Sequence, residues 1–352
     1  MIHRILGGPL RRAVFITLEE KCSPYRLASV APATLRKQCR SARHSPRKRR
    51  LVLMAVATLF ICLATDSRAQ SHLLDIDNRV SRFELFYAQA TAKPIDANLR
   101  FALWQKIDGI AAVPPGAAGD AMARRLLDDA WDRYPALVPR LSAITSVAVQ
   151  TANDAFEGDN ELLGTGGERV HSRLILYVGQ FDNNAYTIPS MEGNPPTVLM
   201  PVENVNLKLA LAHELTHSIH LQLAHVHNSF GAPVGETILL EGLAMRTAQR
   251  QVPGLPDAAY TEMPGERGWF SNCAAKSAIV IKKIAGDLDR SGADVASKYT
   301  FGQGNTGMSR EAYCAAWFVV GKLLSSGHSL PELARIPEDK MVAIIRAAIE
   351  KH

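Results

Sequence analysis

Residues 207–223, LKLALAHELTHSIHLQL, contain neither glycine nor proline, and the first two of their three histidines stand four positions apart. Residues four apart share one face of an α-helix, so the stretch is expected to fold as a helix presenting His213 and His217 side by side. The apolar residues Leu207, Leu209, Ala210 and Leu211 give this helix a buried setting. Glu214 is rotated by about 100° from His213, which puts its carboxylate beside whatever the imidazoles hold. Two imidazoles at this spacing reach one Zn²⁺ at about 2.0–2.1 Å. The acidic neighbour is then placed to act as a base. His213-Glu214-Leu215-Thr216-His217 therefore reads as an H-E-x-x-H zinc motif.

A zinc site that performs chemistry needs a third protein ligand and an open fourth position. A histidine ten residues after His213 would complete one common version, but that position is Leu223, and residue 220 is not glycine. His220, His225 and His227 follow closely, yet a third ligand from the same straight helix would have to stretch along its axis. They are expected at the surface or behind the ligands. Glu241, 24 residues beyond His217, is the better candidate. It is a charge among Leu239, Leu240 and Leu243, and such a charge needs a partner. The loop from Asn228 to Pro233 lets a second helix pack across the first, and Gly242 and Ala244 would permit their close approach. Glu236 is the rival, but an acidic residue in a first helical turn already has a reason to be there.

HELTH followed by the LLEGLA segment resembles the gluzincin arrangement, in which a glutamate on the next helix completes a His₂Glu site. Within that group the chain is similar to a family of predicted zinc-dependent proteases, DUF2268. The likeness is clearest over 170–250 and reaches Glu311-Ala312-Tyr313 and the helix after it; residues 70–160 contribute nothing to it. The resemblance implies His213, His217 and Glu241 as metal ligands and Glu214 as general base. It also implies an edge strand that pairs with extended peptides, for which 174–178 and 184–187 are candidates, unless they only complete the sheet. One departure is plain: where thermolysin-like members place an aspartate four residues after the ligand glutamate, this chain has Met245. The orienting group must come from elsewhere. Tyr313, Tyr299 and His328 are candidates for the donor that stabilises an oxyanion. Tyr313 is preferred as a catalytic residue, against the alternative that it anchors the start of its helix.

Around the motif the pattern predicts helices over 72–156, short strands at 174–178 and 196–200, and helices near 206–226, 235–251, 273–289, 309–326 and 338–350. This is an α+β, zincin-like class, mostly helical with a small sheet preceding the motif helix. Residues 70–160 read as an N-terminal helical region and 161–352 as the catalytic region, with 70–352 forming one compact domain.

Charge divides the chain differently. Lys and Arg number 40 against 34 Asp and Glu, for a net charge of +6. Residues 1–69 hold 14 of the basic residues and 3 of the acidic, a net +11, so the remainder carries −5. Once the leader is set aside, the pull of a basic protein toward nucleic acid disappears. Arg47-Lys48-Arg49-Arg50, a 15-residue apolar run over 51–65 and Ser67-Arg68-Ala69 have the three parts of an export signal, with cleavage expected between Ala69 and Gln70. The run falls short of the roughly 20 residues that span a bilayer, so no stable membrane insertion is expected after cleavage. A periplasmic or secreted protein is expected. Beyond the leader only Cys273 and Cys314 remain, either bonded, as suits an oxidising compartment, or buried as thiols on separate helices.

These readings converge on an exported zinc-dependent hydrolase acting on peptide or protein substrates. The alternatives are a zinc-binding or interaction module without turnover, and a metal-free helical protein with a chance motif. Nothing in the sequence fixes the oligomeric state.

Overall fold

In the computed structural model, which describes residues 72–92, 95–113, 116–191, 193–227, 231–263 and 265–351, the first element is a strand. The leader, its apolar run and the cleavage site lie outside the described residues. Strand β1 is His72–Asn78, where a helix was expected. It pairs in parallel with β2, Val170–Tyr177, with His72 opposite Val170 and Asn78 opposite Leu176. Asp77 secures the pairing: it accepts from Arg79 and from Arg173 across the strands, both at 2.7 Å. Burial pushes the Asp77 carboxyl up, but the two guanidinium groups outweigh it and hold it below its ordinary value. A strand whose partner lies almost a hundred residues away leaves little trace in its local sequence.

The chain between β1 and β2 is helical: α1 Val80–Thr91, α2 Ala97–Ile107, α3 Ala117–Ala130 and α4 Leu141–Leu162. Two short strands follow, β3 Tyr186–Ile188 and β4 Thr197–Pro201. The sheet order is β1-β2-β4-β3, with β4 parallel to β2 and β3 antiparallel to β4 at the edge. A small mixed sheet within a mostly helical chain is the α+β class that the element pattern predicted.

Alternation along β2 separates the two faces of the sheet. Val170, Leu174 and Leu176, with Val198 and Met200 of β4, join the main core beneath the helices. Ile175, Tyr177, Leu199, Tyr186 and Ile188 gather on the other face around Ile110. Under the first face lies α5, Leu207–Leu223, packed between α4 and α6, Val234–Gln251. Helices α7 Trp269–Ile284, α8 Ala293–Thr300, α9 Glu311–Ser325 and α10 Glu338–Glu350 follow, with short helical turns Asp257–Thr261 before α7 and Leu330–Leu333 before α10.

Gly242 works differently from expectation. A Cβ there would lie 2.7 Å from the Ala316 carbonyl oxygen and would overlap Val320, so the glycine admits α9 against α6, not α6 against the motif helix. A bond between Cys273 and Cys314 ties α7 to α9. By the chain-entropy argument a loop of this length stabilises the fold by about 4 kcal/mol. Among the described residues no helix is long and apolar enough to cross a membrane.

Candidate metal centre

Helix α5 forms because 17 residues without a breaker bury Leu211, Leu215 and Ile219 against the core. It stops where His225 adopts a left-handed backbone, φ 54°, and the Val226 amide donates to the Leu221 carbonyl. The opposite side of the helix carries His213 and His217, whose Nε2 atoms lie 3.1 Å apart. Helix α6 crosses α5 and brings Glu241 to them, with Oε2 at 3.3 Å from His213 Nε2 and 3.5 Å from His217 Nε2. Donor atoms bound at about 2.0–2.1 Å to one tetrahedral centre are separated by about 3.3 Å. The three observed spacings bracket that value.

The donor chemistry also fits a cation. Glu241 Oε2 is buried and accepts no hydrogen bond. Burial pushes the Glu241 carboxyl up, yet the adjacent His217 and His213 imidazoles outweigh it and hold the group well below the usual carboxylate range. Burial pushes the His217 imidazole down, and Glu241, with a contribution from Glu214, reverses this and raises it. The Glu241 carboxylate thus creates a potential that draws positive charge to the point where the three donor atoms converge. Among the described residues this is the one group of histidine, cysteine and carboxylate side chains able to hold a metal ion. The residues present fit Zn²⁺.

Glu214 stands beside the cluster. The Thr187 hydroxyl lies 2.7 Å from its Oε2 and 3.0 Å from its backbone carbonyl. His213 and Glu214 open onto a cleft of about 180 Å³, whose walls include Asn184, Asn206, Met245, Phe301, Arg310 and Tyr313.

Tyr313 reaches the site, but its hydroxyl donates to Glu241 Oε1 at 3.1 Å. The phenol therefore orients the Glu241 carboxylate from outside the cluster, a contact that Met245 could not make. Burial, reinforced by the Glu241 charge, pushes the Tyr313 hydroxyl well above its ordinary value, so it remains a donor. Arg310 lies over the Tyr313 ring at 4.3 Å and pairs with Glu266 at 2.8 Å.

The other candidates are elsewhere. Tyr299 donates to Asp287, and His328 is exposed beyond the end of α9. Glu236 stays outside the cluster; burial, with Glu338 nearby, pushes its carboxyl up to about 7. Of the two places expected for it, His220 takes the inner one: it is wholly buried, with neither ring nitrogen hydrogen-bonded. Burial, with the His217 charge adding to it, pushes its imidazole down to about 3, so it remains neutral. His225 and His227 are exposed, and His227 pairs with Glu338 at 2.9 Å.

Sequence reasoning missed two contacts, Thr187 on Glu214 and Tyr313 on Glu241. Both join residues far apart in the chain; the sequence offers Tyr313 as an oxyanion donor and Thr187 only as part of a candidate edge strand, and neither reading contains the contact.

A helix-borne histidine pair completed by a buried glutamate on the next helix defines a candidate His₂Glu metal centre. Residues 197–343 match the family model described as Predicted Zn-dependent protease (DUF2268), the family that the HELTH and LLEGLA segments resemble. The match begins at β4, later than the expected 170, and runs through α9 into α10, so it spans His213, Glu214, His217, Glu241 and Tyr313 and omits β1 to β3. No curated protein and no solved structure matches the chain.

Proposed function

We propose that the chain is an exported zinc metallopeptidase of gluzincin type. His213, His217 and Glu241 hold Zn²⁺, and Glu214 is the general base. The observation that carries this reading is the convergence of three donor atoms at tetrahedral spacing with an independent carboxylate beside them. A bound Zn²⁺ supplies Lewis acidity, polarising a carbonyl and lowering the pKa of water toward about 7. Glu214 takes a proton from the attacking water and later returns it to the leaving nitrogen, so one carboxylate serves both halves of the reaction. Tyr313 fixes the direction of the Glu241 carboxylate, and the walls of the cleft receive the peptide.

Export is supported by the sequence of the leader and by the Cys273–Cys314 bond, which suits an oxidising compartment. The test is metal analysis of purified protein together with peptide cleavage. Wild type is expected to hold about one zinc per chain, with His213→Ala and Glu241→Ala depleted. Glu214→Gln should retain zinc and lose hydrolysis. Turnover by Glu214→Gln would falsify the mechanism, and zinc binding without cleavage of a broad peptide library would support the non-catalytic module instead.

A further inference from the structure

We propose that Thr187 is a positioning residue for Glu214, delivered to it by the edge strand β3. The inference rests on the reading of Glu214 as the base. Side chains alternate along a strand, and β3 has three residues. Tyr186 and Ile188 pack on the outer face of the sheet. Thr187 is paired with Val198, whose side chain belongs to the helix-facing core. The middle residue of β3 is thus turned toward α5. Its hydroxyl is 2.7 Å from Glu214 Oε2, with the Glu214 carbonyl at 3.0 Å as a second acceptor. Threonine suits the place because its β-branch favours the strand while its hydroxyl donates.

A glutamate on a helix surface samples several rotamers, and a base must keep one. The Thr187 hydroxyl occupies Oε2 and so assigns proton transfer to Oε1. The proton moves from the attacking water to Oε1 and on to the leaving nitrogen, while Thr187 keeps its own proton throughout. The segment leading into β3 is itself held: Glu203 accepts from the Gly179 and Phe181 amides at 3.0 and 3.1 Å, and Asn183 Oδ1 accepts from the Val205 amide at 2.9 Å. Thr187 lies outside residues 197–343, so the family match does not supply it.

The experiment compares wild type, Thr187→Val and Thr187→Ser as zinc-loaded proteins. It reads zinc content, kcat and KM on a cleaved peptide, and the Kd of acetohydroxamate by calorimetry; the hydroxyl of that probe depends on a correctly placed base carboxylate. A hydrogen bond to a charged group is worth enough that Thr187→Val should lower kcat by about 10- to 100-fold with KM within about twofold. Acetohydroxamate should weaken by about tenfold or more. Zinc content should be unchanged, and Thr187→Ser should restore both quantities. Wild-type kcat and probe affinity in Thr187→Val overturn the proposal. So does loss of zinc in that variant, which would make the role structural. If wild type holds zinc but cleaves no peptide offered, probe affinity alone decides. If wild type holds no zinc, or Glu214→Gln turns over, the reading of the site fails, and this inference with it.

Discussion

Replacing Tyr313 with phenylalanine separates two roles for one phenol. The structure places its hydroxyl 3.1 Å from Glu241 Oε1, on the far side of the carboxylate from the oxygen that faces the histidines. Tyr313→Phe keeps the ring, and with it the stacking of Arg310 at 4.3 Å, so the lost hydrogen bond is the main change. A hydrogen bond to a charged acceptor contributes about 1.5–3 kcal/mol. At about 1.4 kcal/mol per factor of ten, that corresponds to roughly 10- to 150-fold in zinc affinity. Loss of an outer support of a metal ligand has a similar effect, about 10- to 100-fold. The assay is competition for zinc between the metal-free protein and a chelator of known affinity, followed by kcat at saturating zinc. The expected result is weaker zinc binding with kcat largely recovered on saturation. An oxyanion donor would behave in the opposite way, with zinc affinity unchanged and kcat lower by about 10²- to 10³-fold. That outcome would refute the assignment of Tyr313 to Glu241.

Two further predictions concern the fold. Replacing both Cys273 and Cys314 with serine should lower stability by about 4 kcal/mol on the chain-entropy argument. Denaturant melts of protein beginning at Gln70 check this, and two reactive thiols in the unfolded, non-reduced parent would exclude the bond. Asp108 is buried with both carboxylate oxygens unpartnered, and burial pushes its carboxyl up to about 7 despite the charges of Arg82 and Arg79. Because the fold favours the neutral form, its contribution is full below the unfolded value near 3.8 and is lost as pH rises to about 7. The loss is at most about 4 kcal/mol. Asp108→Asn should therefore be more stable than wild type at pH 8, with the difference shrinking toward pH 4. Urea melts that show the same difference at both pH values would contradict this.

Much of the candidate site was legible in the chain because its geometry is largely local. The spacing of His213 and His217 on a breaker-free helix fixes their relative position to within a turn. Glu241 was readable as a charge without another explanation in an apolar segment. The helices from 206 to 350 followed from apolar periodicity, apart from α8 and the short helical turns Asp257–Thr261 and Leu330–Leu333. Residues whose placement depends on distant partners were not readable. His72–Asn78 is short and buries none of its residues fully, with Leu73, Asp75 and Asn78 exposed, and its parallel pairing with β2 makes it a strand. His220 lies one turn beyond His217 on the same helix, yet the packing of α5 buries it without a hydrogen-bond partner.

The sequence alone marked out the candidate metal-holding side chains and a candidate base beside them, because helical periodicity and residue chemistry are properties of a short segment. Tertiary structure decided how those side chains are held. Glu241 is aimed by Tyr313 from α9, and α9 approaches α6 only where Gly242 leaves room for it. Glu214 is gripped by Thr187 from an edge strand whose facing is set by its register with β4. Register and helix approach are relations between segments distant in the chain, and they take form only when the core packs.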